Sequence, residues 1–237
     1  MRNIFYICGL LAVLMAGSCK NEDLNAYDPY TNWEERNTAW FNAIMDTAQA
    51  EVARARQACG TAVDANGDSL WEQQTPWRVC KSVLRDKTAG SRTDYIVMRM
   101  VNRCPKADRP LYNDTVRVNY RGWTLPTKYR YDGVGDTTYC AIFDQSFYGR
   151  FDPYEYDAAV FDRSLAAPST SAANAYIEGF CTALLNMRKD EMAHVYIPST
   201  LGYGTSGSGS IRGGTTLHFF LHLSAIYPVG TTKPDWK

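Results

Sequence analysis

The chain carries no surplus of charge of either sign: 25 Lys and Arg residues balance 25 Asp and Glu residues across 237 positions. A protein that grips the nucleic-acid backbone concentrates basic residues, so this balance argues against a nucleic-acid partner. Metal-ligand patterns are missing as well. Histidine occurs three times, and none of the seven cysteines falls in a CxxC or Cys/His spacing. His218 and His222 lie four apart. On a strand that spacing puts them on one face but ~13 Å apart, so they read as exposed strand positions and not as a ligand pair. No Ser or Cys stands beside a recognisable general base, which leaves hydrolase chemistry without support. The Gly207–Gly213 stretch lacks the Gly-Lys-Ser/Thr ending of a phosphate loop and leads into a strand, so it reads as a flexible flap. No cofactor is expected.

Long apolar runs are equally scarce. The one run, Ile4 to Met15, is well short of the ~20 residues that a helical span needs. It follows Met1-Arg2-Asn3 and precedes Ala16-Gly17-Ser18-Cys19, the layout of a secretory leader. Small residues immediately before a cysteine also resemble a bacterial lipobox. Residues 1–18 are therefore expected to be a signal peptide, Cys19 the lipidated residue, and 19–31 a tether. Ordinary cleavage, releasing a soluble protein, is the alternative, because Ala16 stands where the lipobox usually has Leu. The expected location is the envelope of a diderm bacterium, in the outer membrane. With Cys8 and Cys19 set aside, Cys59, Cys80, Cys104, Cys140 and Cys181 remain. An odd number leaves at least one thiol, expected in the core.

What is present is a globular composition, 45 % hydrophobic and 21 % charged, which rules out global disorder. Trp33, Trp40, Phe41, Ile44, Ala48 and Val52 recur at helical spacing, so 33–58 reads as an amphipathic helix, with Asn32 and Glu35 approximating a capping box. The stripe must be buried, against strands of the same chain near Val79–Leu84 or against a second copy. Gly60–Gly67 ends the helix. Val79–Leu84, Tyr95–Val101, Val116–Tyr120, His194–Ile197 and Thr216–Tyr227 read as strands, and Ile177–Met187 as a short helix. Residues 126–175 read as loop-rich. Strands in a row around one short helix imply an α+β fold with an antiparallel sheet. Residues 32–77 then form an N-terminal helical extension and 78–229 the main domain.

Five segments of this chain resemble, in order, the site motifs of FKBP-type peptidyl-prolyl cis-trans isomerases. Val116-x-Val118-x-Tyr120-x-Gly122 resembles their first active-site strand. Phe143-Asp144-Gln145-Ser146 resembles their Phe-Asp-Ser-Ser signature. Tyr176-Ile177-Glu178-Gly179-Phe180 resembles the start of their helix. Tyr196 to Gly204, reading Tyr-Ile-Pro-Ser-Thr-Leu-Gly-Tyr-Gly, resembles their Tyr-Ile-Pro…Tyr-Gly segment. Ile211 with Thr216-Leu217-His218-Phe219 resembles the flap end and last strand. The resemblance covers roughly residues 78–227. It implies that Phe180 is the floor of a prolyl pocket and that Tyr120, Phe143 and Phe219 are walls. It further implies that the Ile177 N–H and the Tyr203 hydroxyl donate to substrate carbonyls, that Asp144 shapes the rim, and that Ile211 comes from the flap.

The chain departs from the family pattern in three places. Phe180 replaces the usual Trp, Ser171 stands where a further aromatic is expected, and Phe161-Asp162 competes with Phe143-Asp144 for the signature. The expected activity is isomerisation of X-Pro bonds in exported, proline-containing polypeptides. A weak FKBP-fold binding module and a structural lipoprotein that docks through the Trp-rich helix are the alternatives.

Overall fold

The computed structural model describes residues 28–65, 67–85, 90–131, 135–152, 161–164 and 177–232. Cys19, the leader, most of the tether, Ser171 and Tyr176 fall outside that range.

Helix α1 spans Trp33–Cys59. The expected capping box does not form: Asn32 has a left-handed φ of 51° and its side chain caps nothing. A capping side chain needs an extended backbone at that position to reach the first-turn amides. Arg36 reaches back instead and donates to the Pro29 carbonyl at 2.7 Å, which ties the incoming chain to the first turn. Glu34 and Glu35 sit at the positive end of the helix. Gly60 ends it with φ +60°, donating its N–H to the Arg56 carbonyl at 2.8 Å.

The buried side of α1 is Trp33, Asn37, Phe41, Met45, Ala48, Val52 and Ala55, with Trp40 and Ile44 half-buried beside it. This stripe lies on its own chain. Phe41, Met45 and Ala48 pack with Val97, and Trp77, Val79, Tyr95 and Tyr196 close round them. Burying each large apolar side chain contributes ~1.5–3 kcal/mol.

After a one-turn helix α2 (Trp71–Gln74) come strands β1 (Trp77–Lys81), β2 (Tyr95–Asn102) and β3 (Thr115–Trp123). Next are β4 (Thr127–Tyr131), β5 (Gly135–Tyr139), β6 (Ile142–Gln145) and β7 (Phe161–Ser164). Helix α3 (Glu178–Leu185), β8 (Met192–Ile197) and β9 (Leu217–Tyr227) complete the order. All pairings are antiparallel, in the order β1-β2-β8-β9-β3, and β3 then pairs with both β6 and β7. The expected α+β sheet wrapped around a short helix is the observed fold.

Two local expectations fail. β1 stops at Lys81, not Leu84, because the Leu84 N–H turns back to the Ser82 hydroxyl at 3.3 Å. The 126–175 stretch is not simply loop, since β4 and β5 pair as a hairpin within it. Its Thr- and Tyr-rich alternation on either side of Asp132-Gly133 carries a hairpin signal that the surrounding Pro and Gly obscure.

The sheet has two different faces. Leu217, Leu221 and Leu223 of β9, Ala193, Val195 and Ile197 of β8, Ile96 and Met98 of β2 and Val118 of β3 bury against Leu184 and Met187 of the α3 segment. The opposite face carries the histidines, and they are not exposed. His218 stacks between Tyr196, at 4.6 Å, and Trp123, at 5.0 Å. His222 is buried and meets the Asn119 amide at 3.2 Å. Strand alternation identifies a second face but not what covers it, and here α1 and the Phe147–Phe151 segment do so. Cys181 is a buried core thiol, as expected, and burial pushes it up to about 11.

Candidate active site

The site forms where β3, β6, β9 and the start of α3 meet, and it is built from glycine-permitted contacts. Gly122 on β3 leaves room for Phe143 on β6: a Cβ there would lie 2.4 Å from the Phe143 ring and 2.9 Å from that of Phe219. Gly179 in the first turn of α3 lets the helix lie on β8, since a Cβ would fall 2.3 Å from the Ile197 side chain. These two close approaches bring the helix start and the two strands into one basin.

Four rings line the basin. Phe219 stands at its centre, 5.3 Å edge-to-face from Phe143, 5.3 Å from Phe180 and 6.5 Å from Tyr120. Tyr120 meets Phe180 edge-on at 6.0 Å. Phe180 and Phe219 are buried, whereas Tyr120 and Phe143 are half-buried. The edge-to-face pattern suits the ring quadrupoles and fixes the rings against one another.

The polar rim is anchored to the same strands. The Tyr120 hydroxyl donates to Asp144 at 2.8 Å, and the Gln145 N–H donates to the other Asp144 oxygen at 2.9 Å. Ser146 accepts from the Tyr120 N–H at 2.9 Å, holding β6 in register beside β3. The competing pair sits elsewhere: Phe161 starts β7, across from Val118. Phe143-Asp144 is therefore the pair that touches Tyr120 and Phe219.

Two donors remain open. Among the described residues, neither the Ile177 N–H nor the Tyr203 hydroxyl has a partner. Ile177 immediately precedes α3, in extended conformation, where the amide is not used by the helix. Tyr203 is 36 % exposed, and burial followed by the nearby Asp144 charge raises its phenol above the usual value, so the hydroxyl stays protonated as a donor. Ile211 is buried at the end of its loop. The sequence-level candidates Tyr120, Phe143, Asp144, Ile177, Phe180, Tyr203, Ile211 and Phe219 thus all belong to β3, β6, β9, the α3 start or the loop between β8 and β9.

The loop expected to be a flexible flap carries a hairpin closed by backbone hydrogen bonds. Ser208 and Ile211 exchange backbone hydrogen bonds at 2.9 and 2.8 Å, and the Gly214 N–H closes the base on the Gly204 carbonyl at 2.9 Å. Gly213 is obligatory, since a Cβ there would sit 1.8 Å from the Thr205 carbonyl oxygen. Sequence reading also missed Gly122, Gly179 and Glu178 as builders of the site. The glycines within the matched motifs were the available signal.

Glu178 links the site to β1. Arg85 grips both carboxylate oxygens through one guanidinium edge, Nε donating at 2.9 Å and Nη2 at 3.1 Å, and the Ser82 hydroxyl donates to it as well. These bonds tie the first turn of α3, and with it the Ile177 amide, to the turn after β1.

The architecture and basin define an immunophilin-like α+β enzyme fold. The chain belongs to the FKBP-type peptidyl-prolyl cis-trans isomerase family, whose model matches residues 106–224, just over half of the chain. It is a peptidyl-prolyl cis-trans isomerase of that type. Among solved structures it is similar to a peptidyl-prolyl cis-trans isomerase from Pseudomonas syringae pv. tomato, with 21% identity over 78% of this chain and 95% of that one, TM-score 0.38. The three FKBP domains of wheat FKBP73 align with 19% identity over 63% of this chain and 50% of that one, TM-score 0.40. The N-terminal domain of FKBP42 from Arabidopsis thaliana aligns with 16% identity over 60% of this chain and 94% of that one, TM-score 0.40. No curated protein sequence matches the chain.

Proposed function

We propose that this isomerase acts on X-Pro bonds of exported polypeptides at the cell envelope of a diderm bacterium, anchored through lipid on Cys19. The observation that carries the catalytic part is the convergence of four aromatic rings with two unpaired donors, the Ile177 N–H and the Tyr203 hydroxyl. Prolyl isomerisation faces a barrier of ~18–20 kcal/mol because the planar amide is resonance-stabilised. The twisted amide has lost that resonance and is less polar. An apolar basin therefore favours the twisted form over the planar one, while donors at fixed positions hold the flanking carbonyls.

In this reading the prolyl ring rests on Phe180 between Tyr120, Phe143 and Phe219. Ile177 and Tyr203 orient the flanking chain, and Asp144 holds the Tyr120 hydroxyl. No proton moves and no covalent bond forms.

The test is a proline-isomerisation assay on the chain beginning at Lys20, with peptides that vary the residue before proline. Phe180→Leu, which keeps the floor apolar but removes the ring, should lower kcat/KM about tenfold while leaving the protein folded, a loss of about 1.4 kcal/mol in transition-state binding. A well-folded wild type without activity would overturn the reading. The anchor rests on the short apolar run and Ala16-Gly17-Ser18-Cys19. Cys19→Ala should move the protein from the membrane fraction to the soluble one, and a wild type that is already soluble with an unmodified Cys19 rules the anchor out.

A further inference from the structure

The N-terminal helix does more than cover the sheet: its first two turns grip the base of the hairpin that carries Tyr203 and Ile211. Trp33 donates its indole N–H to the Thr215 hydroxyl at 2.8 Å, and that hydroxyl donates onward to the Arg212 carbonyl at 2.6 Å. Asn37 is fully buried, and its carbonyl oxygen accepts the Thr216 N–H at 2.9 Å. The Thr216 hydroxyl returns a bond to the Asn37 carbonyl of the backbone at 3.1 Å. The Asn37 amide is itself aimed by a bond of 2.7 Å to the Trp33 carbonyl. Just ahead of the helix, the Tyr30 ring lies 3.8 Å under the Arg212 guanidinium. Gly214 has φ +74°, and a Cβ there would fall 2.8 Å from Glu34, so the helix rests directly on the hairpin backbone.

These contacts fall on one short stretch, Arg212 to Thr216. On one side it joins Ile211. Through the Gly214–Gly204 bond it joins Tyr203. On the other side it runs into β9 and Phe219. Core packing alone would not require a buried asparagine. An unpaired buried amide costs ~1–3 kcal/mol, so Asn37 is tolerated only because the Trp33 and Thr216 groups satisfy it.

We propose that α1 is a brace for the substrate-facing hairpin, and that Trp33 and Asn37 are positioning residues that set where Tyr203 and Ile211 stand. The inference rests on the reading that Tyr203 and Ile211 contact the prolyl substrate. It makes the extension part of the isomerase machinery and gives it a role in selecting the residues around proline.

The experiment uses the purified full chain and two readouts. The first is kcat and KM across peptides that vary the residue before proline. The second is amide hydrogen exchange of residues 203–214, which does not depend on turnover. Trp33→Phe keeps an aromatic ring but removes the N–H and part of the indole's packing area, whereas Thr215→Val is nearly isosteric and removes the acceptor hydroxyl. Each should raise KM about threefold, change the ranking of peptides, and speed hairpin exchange while β2 and β8 exchange as in wild type. The double variant should cost less than the sum of the two single ones, because both cut the Trp33–Thr215 bond, while Thr215→Val also removes the bond to the Arg212 carbonyl. Asn37→Leu should act more strongly, about tenfold in kcat/KM. Should it fail to fold, the Trp33 and Thr215 variants still decide. Arg54→Ala, on the exposed side of the same helix, is the control. Unchanged hairpin exchange and unchanged peptide ranking in folded Trp33→Phe and Thr215→Val would overturn the brace. Faster hairpin exchange in these variants, together with a wild type that has no isomerase activity, would keep the brace and refute the catalytic reading instead.

Discussion

At the scale of single residues, the site depends on what is small as much as on what is aromatic. Gly122 is the clearest case. Its replacement by alanine would place a methyl 2.4 Å from Phe143, and overpacking of this kind costs ~1–3 kcal/mol. Gly122→Ala should therefore lower the unfolding midpoint in urea and reduce kcat/KM together, since the Phe143 ring must leave its place beside Phe219. Tyr203→Phe tests the opposite kind of change. It keeps the ring and deletes one donor, a net contribution of ~0.5–1.5 kcal/mol, so kcat/KM should fall about two- to twelvefold with stability unaltered. An activity equal to wild type would show that the open hydroxyl is not aimed at substrate.

At the scale of elements, α3 decides how the basin is closed. Alanine is favoured over glycine by ~1 kcal/mol inside a helix. At Gly179 that preference loses, because the added Cβ would lie 2.3 Å from Ile197 and the helix lies flush on β8. Gly179→Ala should destabilise the protein despite its better helix propensity, and a thermal melt gives the sign. The start of α3 is held from outside by Arg85 on Glu178. The Arg85 side chain is 38 % exposed, so the pair contributes little to global stability and more to where the Ile177 amide points.

At the scale of the whole molecule, the buried histidine face makes stability depend on pH. Burial, then the adjacent His194, pushes His218 down to about 3. Burial, with help from Arg99, lowers His194, and burial lowers His222 against a small opposing pull from Asp190. The unfolded chain protonates these rings near 6.5, so below that pH it binds more protons than the native state. Stability is then full above about 6.5 and is lost as pH falls toward 3, by up to about 1.4 kcal/mol per pH unit for His218. His218→Phe should flatten that dependence in urea unfolding measured between pH 7 and pH 4. Deleting residues 28–60 should lower stability without changing the oligomeric state, because α1 spends its apolar stripe on Val97, Val79 and Tyr95 of the same chain. Conversion of a dimer to an active monomer in size-exclusion chromatography would refute this.

Local chemistry was enough to write the motifs of the site, the period of α1 and the period-two strands into the sequence. Val116-x-Val118-x-Tyr120 alternates because one face meets the apolar core while Arg117 and Asn119 point to the other face, where they too are buried, and the run from Tyr196 to Gly204 is recognisable because strand, turn and loop residues each have local preferences. What the chain alone left open depends on contacts between residues far apart in sequence. That Phe143-Asp144 lies beside Tyr120 and Phe219, while the backbone of Phe161-Asp162 pairs with Arg117 and Val118 farther back along β3, follows from the pairing of β6 and β7. The burial of His218 and His222 was decided by what lies across the sheet, which no strand pattern encodes. The brace was invisible for the same reason: Asn37 and Thr216 are 179 residues apart, and only the folded chain makes a buried asparagine a partner of the active-site hairpin.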